Sequence, residues 1–137
     1  MAKIAVIGLS GQSIFMKVNN LPTPSTTIHS TNLYIEPGGK GYNQAVACKK
    51  LGAEVSYFSK VGCDEYGNIC EKYLKDLEIK TIFEKDKIHN TALATILTDD
   101  LAENEVIVYK GASSNLNVSE LKDFESEIAT ADVLLLQ

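Results

Sequence analysis

The chain of 137 residues is long enough for one domain with a sizeable core, and its 45% hydrophobic and 23% charged residues are typical of a globular protein. Acidic residues (18) outnumber basic residues (13), and the net charge of −5 argues against a general nucleic-acid binder, which needs clustered lysine and arginine.

The cysteines Cys48, Cys63 and Cys70 form no zinc-site spacing with histidine, which favours reduced intracellular thiols. No apolar run is long enough for a signal peptide or a membrane span. We therefore expect a cytoplasmic protein that does not bind membranes.

The first segments of the chain predict strands. Residues 2–8 form a continuous apolar run bounded by Gly8, which is typical of a buried parallel strand. A second short strand is predicted over residues 14–18, and the turn Pro22-Thr23-Pro24 follows it. Residues 26–36 mix polar and β-branched side chains, which predicts a strand with one exposed face.

A helix is predicted to follow two adjacent glycines, Gly38 and Gly39. Glycine has no Cβ and tolerates positive φ, so the backbone can turn sharply here or allow another group to approach closely. Gly52 would end the helix as the residue just beyond its C-cap. The apolar stripe of this helix consists of Ala45, Val46, Cys48 and Leu51.

Three polar residues, Lys40, Tyr42 and Asn43, mark the N-terminal end of this helix. Backbone N–H groups and the positive end of the helix dipole are available there for a polar or anionic ligand. The arrangement therefore predicts a binding site at the point where the helix enters an α/β sheet.

A strand over residues 55–61 and a second helix are predicted next. Asp64 can cap that helix, and a short strand is expected over residues 80–83. The apolar stripe of the second helix consists of Tyr66, Ile69, Cys70, Tyr73, Leu74 and Leu77.

A hairpin is predicted from residues 90–98 and 105–109, with a polar tip over residues 99–104. A last helix is expected to start at Asn117 or Ser119 and to run through about residue 129.

The chain ends in an apolar segment, Val133 to Leu136, which predicts a final buried strand. Strands that alternate with helices indicate an α/β fold with a mostly parallel sheet and flanking helices. Because a domain seldom ends inside a central strand, the stop at Gln137 predicts that residues 1–137 are the N-terminal half of a longer protein.

Several motifs together resemble the N-terminal signature of the ribokinase (PfkB) carbohydrate kinases. The resemblance covers essentially the whole chain, and its central motif is long enough to be specific. The matching segments are Gly38-Gly39-Lys40-Gly41-x-Asn43-Gln44-Ala45, Leu51-Gly52-Ala53, Val61-Gly62-x-Asp64-x-x-Gly67, Ile4-Ala5-Val6-Ile7-Gly8, Leu21-Pro22-Thr23-Pro24 and Gly111-Ala112-Ser113-Ser114-Asn115-Leu116.

The resemblance implies a ribokinase-like fold in which strands near residues 14–36 and 90–109 form a small β lid over the sugar site. In the family such a lid often pairs with a second subunit, so a homodimer through the lid is expected. The nucleotide-binding half, with its glycine-rich anion hole and catalytic Asp, would follow Gln137. ATP and Mg²⁺ would bind mainly there, and residues 1–137 alone are predicted to be inactive as a kinase.

Within the signature, the candidate substrate-binding residues are Gly39, Lys40, Gly41 and Asn43. Asn43 has both donor and acceptor atoms for sugar hydroxyls, and within this motif binding is favoured over the alternative of a helix-start residue that bonds to the backbone. Lys40 would reach hydroxyls or phosphate as a mobile charge, or it could be a solvated lysine. The glycines would allow close approach.

The loop after the first strand is implicated by the same resemblance. Many relatives place an Asn and then an Asp there to hold sugar hydroxyls, whereas this chain has Gly11 and Ser13. Losing the carboxylate removes a charge-assisted hydrogen-bond acceptor. Either Gln12 and Ser13 bind a different ligand, or this member does not handle ribose; the structural alternative is an ordinary polar turn. We predict that ribose is a poor acceptor.

The leading hypothesis is the substrate-binding half of an ATP-dependent kinase that phosphorylates a hydroxyl of a sugar or nucleoside. The first alternative is a non-catalytic sugar- or nucleoside-binding regulator on the same scaffold. The second is a Rossmann-type dinucleotide binder. Gly8-x-x-Gly11 suggests the dinucleotide binder, but the complete Gly-x-Gly-x-x-Gly motif and its later acidic residue are missing.

Overall fold

Two four-stranded sheets organise the chain, and the computed structural model describes all residues from 1 to 137. The strands are β1 (Lys3–Ile7), β2 (Gly11–Lys17), β3 (Asn32–Gly38), β4 (Glu54–Gly62), β5 (Lys80–Asp86), β6 (Ala92–Thr98), β7 (Asn104–Tyr109) and β8 (Val133–Leu136). The α-helices are α1 (Lys40–Lys50), α2 (Glu65–Asp76) and α3 (Glu125–Thr130), and 3-10 turns cover Gly111–Asn115 and Val118–Phe124. None of the helices is long and apolar enough to cross a membrane.

The first sheet, here called the parallel sheet, has the strand order β5-β4-β1-β8, and all its pairings are parallel. Successive side chains of a strand point to opposite faces, so β1 supplies both sides of the core. Val6 packs with residues of α1 and α2, such as Ala45 and Leu74, on one face. Ala5 packs with Phe58 and Phe124 on the other. The predicted α/β architecture is therefore confirmed.

The second sheet has the order β3-β2-β6-β7 and is mixed, because β2 pairs parallel with β6 while the two outer pairings are antiparallel. The predicted hairpin is β6–β7, and Asp99 stabilises its tip by accepting hydrogen bonds from the backbone N–H groups of Leu101 and Glu103.

Two strand boundaries in this sheet differ from the prediction. β2 begins at Gly11 rather than at residue 14, because Gly11 already pairs with Gly38 and Ala92. β3 begins at Asn32 rather than at residue 26. Residues before it form a turn in which the Thr26 hydroxyl donates to the carbonyl oxygen of Thr23.

The C-terminal elements also differ from the prediction. Asn117 caps its helical segment with a complete capping box, but that segment is a 3-10 turn that continues into the short helix α3 rather than one long helix. The last strand, which is predicted to be buried, is largely exposed in residues 1–137: Val133 and Leu136 are 46% and 63% exposed. β8 lies at the edge of the parallel sheet and pairs only with β1, so neighbours cover it on one side.

The connection between β1 and β2 decides against the dinucleotide-binder interpretation. A dinucleotide-binding loop must open a helix, whose N-terminus then holds the pyrophosphate. Here Gly8 and Gly11 flank a short link from one strand to another, and no helix follows. The dinucleotide interpretation is therefore wrong.

Candidate functional site

A cavity of about 540 Å³ lies where the ends of β1 and β8, the start of α1 and the second sheet meet. In the parallel sheet β1 lies between β4 and β8. The chain adds β4 and β5 on one side of β1 and later adds β8 on the other side. Ligands of open α/β sheets bind at such a switch point, outside the carboxyl ends of the strands. Six of the sequence-predicted site residues line this cavity: Gly11, Gln12, Ser13, Gly39, Lys40 and Gly41.

The second sheet forms one wall of the cavity. Ser13 on β2 lies in register with Ala94 on β6, which is in turn opposite Val108 on β7, so these three residues share one face. The next row contains Gly11 and Ala92, where a Cβ added to Gly11 would lie 2.4 Å from the Ala92 carbonyl oxygen. Small side chains therefore keep this wall open to a ligand.

The start of α1 forms the opposite wall, and it does so with backbone. Gly39 has a φ of 120°, and a Cβ added there would lie 2.2 Å from the Leu9 carbonyl oxygen. A Cβ on Gly41 would lie 2.9 Å from the Gly8 Cα. No side chain caps α1 and its first turn has no acidic residue, so the positive end of its dipole faces the cavity uncompensated.

Tyr57 fixes the link between β1 and β2 that this wall contacts. Its hydroxyl lies 3.1 Å from the Gly8 carbonyl oxygen, 3.0 Å from that of Leu9, and 2.9 Å from the Ser10 Oγ. Burial raises the pKa of Tyr57, so the hydroxyl keeps its proton and donates to the carbonyls. The sequence indicated only a strand residue here, because the bonded partners lie almost 50 positions away.

Asn43 stands apart from the other predicted residues. It is exposed and does not line the cavity, and its side chain makes no hydrogen bond within the chain. It nevertheless lies near the rim, because a Cβ built on Gly38 would be 3.0 Å from Ser13 Oγ and 3.9 Å from Asn43 Oδ1. Ser13 and Asn43 thus approach the same backbone position from two elements.

Comparison with known proteins identifies the family. The model of the pfkB family carbohydrate kinases matches residues 1–137. The chain belongs to this family.

Among curated relatives, this pfkB-family chain is 33% identical to ribokinase from Mus musculus, over 99% of the chain and 42% of that enzyme. It is 30% identical to ribokinase from Bacillus subtilis, over 100% of the chain and 47% of that enzyme. A ribokinase structure from Giardia lamblia superposes with a TM-score of 0.92 at 27% identity, covering 99% of this chain and 41% of the other. The chain therefore spans less than half the length of these relatives.

The side chain of Gln12 differs from those of its neighbours in direction and burial. Alternation along β2 directs its side chain to the face opposite Gly11 and Ser13. The residue is only 4% exposed, and its Oε1 is buried without a hydrogen-bond partner. Gln12 lines the cavity, and its contact with a ligand stays a prediction.

The cavity is also lined by residues that the sequence motifs did not indicate. Lys110, directly after β7, lines it together with Lys40, and no aspartate or glutamate does. The register of β7 with β6 could have pointed to Lys110, but register is not visible in the sequence.

The resemblance implies ATP and Mg²⁺ for the whole protein. No group of three or more His, Cys, Asp or Glu side chains is placed to hold a metal ion. We assign neither ATP nor Mg²⁺ to a site in residues 1–137.

Proposed function

We propose that this chain supplies the acceptor-binding part of an ATP-dependent kinase that phosphorylates a hydroxyl group of a sugar or nucleoside. The observation that carries the proposal is the cavity of about 540 Å³ at the carboxyl ends of β1 and β8. Its volume lies within the range of small-molecule sites, and its position is the one at which α/β sheets bind ligands. Membership of a carbohydrate-kinase family supports a sugar-like ligand.

The proposed roles follow from the chemistry of the lining. The Ser13 hydroxyl and the Asn43 amide can donate to and accept from acceptor hydroxyls. Gly39 and Gly41 let the start of α1 pack directly against the β1–β2 link, where a side chain would collide, and they leave backbone at the cavity. Lys40 adds a positive charge at the start of α1. Such fixed polar contacts discriminate between acceptors, because an analogue that lacks a hydroxyl leaves protein groups unpaired.

The proposal includes self-association through the second sheet, which would act as the lid. Its outer strands carry apolar side chains that are half exposed or more on the face opposite Ser13, Ala94 and Val108, namely Leu33 and Ile107. A second copy of the chain would cover them.

The direct test is phosphoryl transfer by the whole protein from ATP, in the presence of Mg²⁺, to a panel of pentoses, hexoses and nucleosides. We expect turnover of at least one acceptor. Binding of a panel member without turnover of any would support the regulator alternative instead, and the absence of both binding and turnover would contradict the acceptor cavity.

A pair of glycine substitutions tests whether this cavity is the acceptor site. Gly39 and Gly52 both have positive φ, at opposite ends of α1. An added Cβ at Gly52 meets nothing within 4 Å, whereas at Gly39 it meets the Leu9 carbonyl oxygen. Both variants carry backbone strain, but only Gly39→Ala should deform the cavity and raise the acceptor KM. Equal effects of the two variants would show that the cavity is not the site.

A further inference from the structure

The charge of the cavity lining is opposite in sign to that of the whole chain. The chain has a net charge of −5, yet the cavity is lined by two lysines, Lys40 and Lys110, and by no acidic residue. A site with this lining disfavours a cation and favours an anion.

Neither ammonium group is neutralised within the chain. Lys40 and Lys110 form no ion pair, and neither side chain donates a hydrogen bond. Pairing is common elsewhere, because seven lysines contact a carboxylate: Lys17, Lys49, Lys60, Lys72, Lys75, Lys80 and Lys85. The two cavity lysines therefore retain their full capacity to bind an anion.

The two lysines stand on opposite walls. Lys40 is the first residue of α1, where the partial positive charge of the helix dipole adds to its own. Lys110 follows Tyr109, which pairs with Leu93, so the register places Lys110 opposite Ala92 and on the same face as Val108. A ligand between the walls would be within the range of both charges.

We infer that the acceptor is anionic, carrying a carboxylate or a phosphate ester in addition to the hydroxyl that is phosphorylated. This inference rests on the proposed function and narrows its substrate class. Hydrogen bonds between ammonium and anionic oxygens are roughly twice as strong as those between neutral groups. These hydrogen bonds would compensate the anion for the hydration that it loses on entering the cavity, which a cavity without charged groups would not do.

The test compares matched acceptors with the whole protein: glucose, gluconate and glucose 6-phosphate, and ribose, ribonate and ribose 5-phosphate. We expect an anionic member of a set to be preferred over its neutral partner by about 10-fold or more in kcat/KM, the scale of a hydrogen bond to a charged group. The acid and phosphate arms distinguish the two anion types. Added salt should reduce the preference, because the cavity is open to solvent.

Charge variants show whether the lysines cause the preference. Lys110→Gln should lower kcat/KM for the preferred anion about 10-fold and change that for the neutral partner less than 2-fold. Lys110→Arg should restore most of the loss. Lys122→Gln, at an exposed and unpaired lysine outside the cavity, should change neither value.

The outcomes separate this inference from the function on which it rests. If neutral acceptors are turned over best and Lys110→Gln leaves the ratio unchanged, the inference is overturned while the kinase proposal stands. If no acceptor is turned over, calorimetric titration with the same sets decides: tighter binding of the anions that weakens in Lys110→Gln supports an anionic ligand, and equal or absent binding overturns it.

Discussion

Replacing Tyr57 by phenylalanine removes one hydroxyl from the β1–β2 link and leaves the ring in place. The ring packs edge-on against Tyr42 and Phe83, with centroids 6.3 and 5.9 Å away, and phenylalanine preserves both contacts. The hydroxyl is fully buried and bonds to Ser10 and to the carbonyls of Gly8 and Leu9. Its loss leaves buried polar groups unpaired, so we expect the free energy of unfolding to fall by about 1–3 kcal/mol.

The same substitution should affect the cavity, because Leu9 in this link and Gly11 directly after it line the cavity. We expect the acceptor KM to rise more than kcat falls. Urea denaturation of the whole protein measures the first effect, and steady-state kinetics with the best acceptor measures the second. Tyr73→Phe is the matched control, because the Tyr73 side chain is 44% exposed and its hydroxyl makes no hydrogen bond.

A double-mutant cycle with Ser10→Ala tests the assigned geometry directly. Residues that share a hydrogen bond should show a coupling energy of about 0.5 kcal/mol or more. The reasoning is refuted if Tyr57→Phe changes the unfolding free energy by less than about 0.5 kcal/mol, the range of neutral surface substitutions, and leaves KM unchanged.

Four further predictions concern other parts of the chain. Ser13→Asp should shift relative kcat/KM towards ribose, because a carboxylate restores a charge-assisted acceptor; ribose as the best substrate of the unmodified protein would contradict this. Asn43→Ala should weaken acceptor binding by about 1 kcal/mol with little change in melting temperature, since the side chain is exposed; the reverse pattern would make it structural. Burial raises the pKa of Asp64, but hydrogen bonds from Thr91 and Gly67 outweigh burial and lower the pKa overall, so the stabilisation by Asp64 is present above pH ~4 and is lost below. Asp64→Asn should lower the free energy of unfolding by about 1–2 kcal/mol at pH 7, measured by urea denaturation, and this loss should shrink in acid. A loss that is the same at all pH values would refute this. Ile107→Glu, at a 73% exposed position of β7, should convert a dimer into a monomer in sedimentation, and unchanged mass would exclude pairing through this strand.

Local signals in the sequence predicted the helix α1 and its boundaries well. Gly52 has a φ of 89° just beyond the helix, as a terminating glycine should, and Asp64 caps α2 by accepting from the Gly67 N–H. These features depend on residues within one or two turns of the chain. The alternation of strands and helices likewise predicted the parallel sheet.

Features that depend on distant partners were not predictable from the sequence. Within residues 1–137 β8 lies at the sheet edge, and the apolar run Val133–Leu136 is the same for an edge or a central strand. Lys110 joins the cavity only through the β6–β7 register. Strand alternation sends the side chains of Gln12 and Ser13 to opposite faces of β2, which their adjacency in the sequence did not show while both were read as loop residues.

The two walls of the cavity differ in how freely they can vary. The α1 wall consists of backbone in direct contact with the β1–β2 link, at Gly39 and Gly41, and an added Cβ there has no space. The wall formed by Ser13, Ala94 and Val108 consists of side chains on an open sheet face. Under the proposed function, the α1 backbone at Gly39 and Gly41 tolerates little change, and a mutant library aimed at new acceptors belongs at the side chains of the sheet wall rather than at these two glycines.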